Sequence, residues 1–228
     1  MTRQIIAIGG SGLSATITQY MLRQSQTDSP RVCGLATATG DADRSTVRFY
    51  EAFSTLDCKP SHISFFARTP DLRSHLLSQN VIYVGGGNTK SMLAVWREWG
   101  LPELLREAYD AGIVLAGTSA GAICWFEQGV TDSYADRLRP LDCLGFISGS
   151  CCPHYDTELE RRPSYQSLVR ANDIIPGIAL DDSAAAHFID GVLYRVVTVK
   201  PGAGAHYVSV VDGEVREETL PVELLSQA

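Results

Sequence analysis

The chain has no run of basic residues and no apolar stretch long enough to cross a membrane. Of its 228 residues 19 are basic and 26 acidic, for a net charge of −7. An acidic chain without a clustered cationic stretch is a poor partner for nucleic acid or an anionic membrane surface. Its apolar runs fall short of the roughly 18 residues that a spanning helix needs. The first of them, in MTRQIIAIGG, stops at two glycines, which suits a core strand better than a secretion signal. CxxC pairs and metal-ligand spacings are also missing. The six cysteines, Cys33, Cys58, Cys124, Cys143, Cys151 and Cys152, stand as buried reduced thiols in this reading, which predicts a cytoplasmic protein with neither metal nor cofactor. Linkers, repeats and low-complexity segments are absent too. The length suffices to bury a core without disulfides, so one domain over 1–228 is expected.

What is present is an alternation. Short apolar runs occur at Gln4–Ile8, Arg31–Ala36, His62–Phe66, Val81–Val84 and Ile113–Ala116, with helical patterns between them. Leu101, Leu104, Leu105 and Ala108 fall on one helical face, and Met92, Val95, Trp96 and Trp99 repeat the pattern. Strands alternating with helices predict an α/β fold, with a mostly parallel sheet covered by helices on both faces. The last quarter changes character. Asp190-Gly191 and Asp212-Gly213 each sit between apolar runs, and Asp-Gly favours the tight turn of a β-hairpin. Antiparallel hairpins at the C-terminal end follow. The stretch from Asp132 to Tyr165 has the least pattern, and a connection of that length in a compact domain is often functional.

The strongest local signal is IVLAGTSAGAICWF, where an apolar strand runs into Gly117-Thr118-Ser119-Ala120-Gly121 and a helical stretch follows. This is G-x-S-x-G in the strand–turn–helix setting of a nucleophile elbow. A sharp turn lifts the serine hydroxyl above the sheet, and the flanking glycines let backbone segments pass where a Cβ would clash. A plain turn of small residues is the alternative. Upstream, Gly85-Gly86-Gly87-Asn88-Thr89 follows another strand. Its amides suit an oxyanion hole, with Gly87 and Ala120 as donors. Asn88 is a candidate substrate contact, or simply the cap of the next helix. A third glycine run, Gly9 to Ala15, matches a loose dinucleotide fingerprint. No acid stands where the second strand should end, so a close-packed turn is the better reading.

A serine nucleophile needs a base, and the base needs an orienting acid. His62 and His75 lie early in the chain, and His187 and His206 lie in the hairpins. His154, in SCCPHYDTELERR, sits beside a proline after an apolar run and suits a base on a loop. Asp182, at the end of GIALDD, and Asp132, after GVT, compete as the acid, and spacing does not separate them. Arg161 and Arg162 follow His154, with Arg170 beyond. They are candidate anchors for a substrate carboxylate, or the charged face of a solvated loop.

GGGNT, GTSAGA, PHYD and GIALDD, in this order, resemble the peptidase E family and its relative cyanophycinase. The likeness runs from about Ile5 to about Tyr207. It implies a fold like that of class I glutamine amidotransferases, with serine in place of the elbow cysteine. It also implies metal-free serine peptidase activity on small peptides, including dipeptides with an N-terminal aspartate. By motif, Ser119 is carried over as nucleophile and His154 as base. Cyanophycinase has glutamate where this chain has Asp182, and Asp132 matches an aspartate also assigned to the triad, so the acid stays open. The partner expected is a small peptide, and a homodimer is compatible with the reading. An esterase or amidase with the same triad, or a silent binding protein of the same fold, are the alternatives. The α/β-hydrolase scheme fits less well, because its order is Ser, acid, His.

Overall fold

The computed structural model describes residues 2–11 and 13–226. Among these residues the strands form two sheets. In the eight-stranded sheet, β1 (Gln4–Ile8), β5 (Val114–Thr118), β4 (Val81–Val84), β2 (Arg31–Leu35) and β3 (Lys59–Ile63) are neighbours in that order and run parallel. Beyond β1 come β10 (Ala184–Ile189) and β11 (Val192–Thr198), each antiparallel to its inner neighbour, and then β14 (Val222–Leu224). The parallel strands are apolar at nearly every position because both faces are covered. Side chains alternate across the sheet. Ile5 and Ala7 of β1 join one core cluster, and Ile6 and Ile8 join the other. The second face carries α1 (Ala15–Arg23) and α2 (Asp43–Phe53), through Ile17, Met21, Phe49 and Phe53. The first carries α3 (Leu72–Leu77), α4 (Thr89–Glu98) and α5 (Leu101–Asp110), through Leu76, Trp96 and Leu105.

The six-stranded sheet runs in the order β13 (Glu214–Thr219), β12 (Ala205–Val211), β9 (Gly177–Leu180), β8 (Ile147–Cys152), β6 (Phe126–Thr131) and β7 (Arg139–Asp142). Its inner strands β9, β8 and β6 are parallel, and α7 (Arg161–Arg170) packs on it through Tyr165 and Val169. Both Asp-Gly pairs turn hairpins. Asp190 and Gly191 join β10 to β11 at φ 50° and 81°, and Asp212 and Gly213 join β12 to β13 at φ 51° and 82°. Two successive positive φ values are what a two-residue hairpin turn requires.

Three expectations need correction. The third strand is KPSHI, ending at Ile63, and does not run to Phe66. It is an edge strand bonded only to β2, so only Ile63 is buried, and apolar content misplaces it. The stretch from Asp132 to Tyr165 is not one long connection. It contains β7 and β8, and β8 is built of small residues (ISGSCC) that leave little hydrophobic pattern. The neighbouring β9 has its own steric demand, because a Cβ on Gly177 would lie 2.0 Å from the Ser150 carbonyl oxygen. Third, the helix after Ser119 is the single turn α6 (Ala120–Ile123), and β6 begins soon after it.

Candidate active site

β5 ends at Thr118, and Ser119 follows with φ 55° and ψ −112°. A non-glycine residue in that region is strained, and strain of this kind persists only where its surroundings enforce it. Three contacts do so here. The Ser119 amide donates to the Ile8 carbonyl at 3.1 Å. A Cβ on Gly117 would lie 2.3 Å from the Gly121 carbonyl oxygen, and one on Gly121 would lie 2.1 Å from the Val84 carbonyl oxygen. The two glycines of the motif are therefore steric necessities of the elbow.

His154 lies just beyond β8, also at positive φ (56°). Its Nε2 is 2.9 Å from Ser119 Oγ, and its Nδ1 is 2.8 Å from Asp182 Oδ1. Asp182 lies between β9 and β10, on the far side of the ring from Ser119. Its second oxygen accepts from the Thr157 hydroxyl at 3.0 Å, and its amide donates to Asp156 Oδ1 at 2.7 Å. With Nδ1–H given to the carboxylate, Nε2 is free to accept the serine proton. Asp132 makes no contact with His154 among the described residues. It is largely exposed and lies 3.6 Å from Arg161.

The glycine run after β1 makes room for this cluster. A Cβ on Gly10 would come within 2.0 Å of Asp182 Oδ1 and 2.3 Å of His154 Nδ1, and one on Gly9 would lie 2.2 Å from the Asp181 carbonyl oxygen. Gly86 stands on the other side of the serine, where a Cβ would lie 3.2 Å from Ser119 Cβ. The amides of Gly86, Gly87 and Ala120 have no backbone acceptor among the described residues. The loop that carries Gly86 and Gly87 is pinned to the end of β2. The Asn88 amide donates to the Ala38 carbonyl at 2.7 Å, and Trp96 Nε1 donates to Thr37 Oγ1 at 3.1 Å in the core beneath. Asn88 also caps α4, its side chain accepting from the Ser91 amide at 2.8 Å.

The two arginines after His154 are both engaged inside the chain. Arg161 is buried, donating from Nε to Glu158 at 2.6 Å and from Nη1 to the Val130 carbonyl at 3.1 Å. Arg162 pairs with Glu217 of β13. Sequence reasoning did not single out Glu158, Thr157 or Glu217. Glu158 Oε1 is 4.0 Å from His154 Nε2, one helical turn on from the histidine. That i,i+4 spacing was readable in HYDTE, whereas nothing in the sequence pointed to Glu217.

The model of peptidase family S51 matches residues 5–196. The chain belongs to peptidase family S51. This peptidase is therefore a hydrolase of a serine peptidase family. It is 50% identical over 229 residues to the uncharacterized peptidase YgaJ of Bacillus subtilis, covering 98% of this chain and 99% of that one. Among solved structures, a peptidase from an acI-B1 actinobacterium superposes with a TM-score of 0.74 at 16% identity, covering 96% of this chain and 95% of the other. A putative peptidase E protein from Listeria monocytogenes gives 0.64 at 17% identity, covering 97% and 100%. These two likenesses confirm the fold of the S51 peptidase. No helix among its described residues is long and apolar enough to cross a membrane.

Proposed function

We propose that this S51 enzyme hydrolyses small peptides through an acyl-enzyme on Ser119. The observation that carries the reading is the unbroken chain from Ser119 Oγ to His154 Nε2 at 2.9 Å and from His154 Nδ1 to Asp182 at 2.8 Å. In this mechanism Oγ attacks the scissile carbonyl while Nε2 takes its proton, and Asp182 holds the imidazole and the imidazolium that forms. The oxyanion accepts hydrogen bonds from the amides of Ala120 and of Gly87, with Gly86 beside it. Collapse breaks the C–N bond, and the leaving amine takes the proton from Nε2. Water then attacks the ester, giving a proton to Nε2, and Ser119 recovers it as the acid departs. The family resemblance suggests N-terminal aspartate as a substrate residue, but Arg161 and Arg162 are each paired within the chain, so that preference is not part of the proposal.

Replacement of the nucleophile tests the reading. Ser119→Ala should retain the fold and lose on the order of 10⁶ in kcat on a dipeptide panel. A variant that keeps more than a tenth of the wild-type rate would remove Ser119 from the mechanism.

A further inference from the structure

Behind His154 and Asp182 lies a second cluster of ionisable side chains, with His206 of β12 in its middle. The His206 side chain is 15% exposed. Its Nε2 faces Asp181 Oδ2 at 3.7 Å, and its Nδ1 faces Glu217 Oε1 at 3.6 Å. Thr219 Oγ1 stands 3.2 Å from Nδ1 and shares a hydrogen bond with it. The imidazole thus lies between two carboxylates, one from the turn after β9 and one from β13.

Each carboxylate is one residue removed from the proposed triad, on a different side of it. Asp181 precedes Asp182 and is 5% exposed. Its Oδ2 accepts from the Gly204 amide at 3.0 Å, and its own amide donates to the Gly204 carbonyl at 3.0 Å. Among the described residues, His206 is the one group able to carry positive charge within 4 Å of the Asp181 carboxylate. Glu217 accepts from Tyr155 Oη at 2.6 Å, and Tyr155 follows His154. The Tyr155 ring packs on the His206 ring at 5.6 Å between centroids, and the Tyr155 amide donates to the Leu180 carbonyl at 3.1 Å. Glu217 has a second cation in Arg162, so Asp181 is the carboxylate that depends on His206.

The contact between His154 and Asp182 requires two loops to keep their places, since both residues lie outside the strands. Neighbouring residues of an extended chain point to opposite sides. Asp182 turns to His154, and Asp181 turns to the second sheet. A buried carboxylate stripped of its counter-charge is costly and moves toward water. Without His206, Asp181 would shift in this way and carry Asp182 with it. We propose that His206 is a positioning residue, which ties Asp181 to Glu217 and so holds the loops of Asp182 and His154 against each other. It acts through these loops rather than on the reacting atoms. The inference rests on the Ser119 reading and adds to it a residue from the C-terminal quarter of the chain.

A small methyl fluorophosphonate tests it, because its reaction with Ser119 needs the base but no specificity pocket. His206→Leu should lower the maximal rate of Ser119 modification by about tenfold to 10², the effect of displacing catalytic groups by up to about 1 Å. The half-saturating concentration should stay within about twofold, the pattern of an interaction felt in the transition state alone. His206→Gln keeps an N–H for Asp181 and should recover most of the rate. The low-field proton resonance of His154 Nδ1–H, identified by its absence in Asp182→Asn, should shift or broaden in His206→Leu and return in His206→Gln. A merely structural histidine would lower the melting temperature of its variants without moving that resonance. If His206→Leu does not fold, Asp181→Asn takes its place, since it keeps an acceptor for Gly204 and loses the charge, and the same losses are expected. A wild-type rate with an unmoved resonance in the folded variant, or a His206→Gln as impaired as His206→Leu, overturns the positioning role. Failure of wild-type Ser119 to react would instead remove the serine mechanism, and the resonance would still read whether His206 keeps His154 on Asp182.

Discussion

At the scale of single residues, the site is a matter of which Cβ atoms are missing. Gly121 and Gly10 are both crowded, but by different neighbours. A Cβ on Gly121 meets the Val84 backbone at 2.1 Å, whereas the nearest atoms to one on Gly10 belong to the side chains of Asp182 and His154, at 2.0 and 2.3 Å. Backbone cannot yield without moving β4, so Gly121→Ala should fail to fold or melt far below wild type. Side chains can move, so Gly10→Ala should fold with an unchanged circular dichroism spectrum. It should nevertheless lose at least about 10² in kcat, the effect of displacing catalytic groups by about 1 Å. Wild-type activity in Gly10→Ala would mean that the His154–Asp182 pair is not needed where it stands. The elbow was legible in the sequence because G-x-S-x-G states its own steric demands. The carboxylate that meets His154 was not, because Asp132 and Asp182 both follow apolar runs and only folding brings one of them to His154 Nδ1. Asp182→Asn should therefore lower kcat by roughly 10⁴ through the wrong imidazole tautomer, and Asp132→Asn by less than tenfold. The opposite ranking in steady-state kinetics would return the role to Asp132.

At the scale of elements, legibility followed burial. β1, β4 and β5 are covered on both faces and were visible as apolar runs. The two hairpins announced themselves through Asp-Gly. The rest of the second sheet, β6 to β9, did not. Strand β13, legible from its Asp-Gly turn, alternates exposed with partly buried residues and carries four charges in EVREET. One of these has a structural task. Glu217 accepts from Tyr155 Oη at 2.6 Å and from Gln166 Nε2 at 2.7 Å, and pairs with Arg162. Burial pushes the Glu217 carboxyl up, but these hydrogen bonds outweigh it and hold the group below the usual carboxylate range. Tyr155 is the residue after His154, so a strand near the C-terminus braces the loop that carries His154. Glu217→Leu leaves Tyr155 and Gln166 without their acceptor, and a partner stranded in this way costs about 1–3 kcal/mol. Urea unfolding at neutral pH should show a loss of that size. An unchanged midpoint would make the network ornamental. Because the folded carboxyl titrates below its unfolded value, this contribution is present above the unfolded carboxylate range and fades as pH falls through the folded value.

At the scale of the whole molecule, the two sheets meet where the chemistry is proposed. Ser119 and the glycine loop come from the parallel half of the main sheet, His154 from the end of β8 in the second sheet, and Asp182 from the turn that joins β9 to β10 and so links both sheets. Folding of the whole chain is thus required to assemble the site, and whatever destabilises the sheet junction acts on activity. A buried histidine marks the weak point. His187 in β10 is 1% exposed, with Tyr20 Oη at 2.7 Å from Nδ1 and Gln4 Oε1 at 3.1 Å from Nε2. Burial, helped by the nearby Arg195 cation, lowers its pKa to about 4. The folded state therefore holds His187 neutral, while the unfolded chain protonates it near 6.5. Between those values the unfolded state binds more protons, so stability is full above about 6.5 and declines as pH falls toward about 4, below which this group adds nothing further. The shift corresponds to at most about 3 kcal/mol across the window. Chemical denaturation at pH 7 and at pH 4.5 reads it directly. The wild type should lose roughly 2 kcal/mol more between these pH values than His187→Gln, which has no proton to take up. The variant's lower stability at pH 7 does not enter that difference. Parallel losses in the two proteins would show that the acid sensitivity of the fold lies elsewhere than at β10.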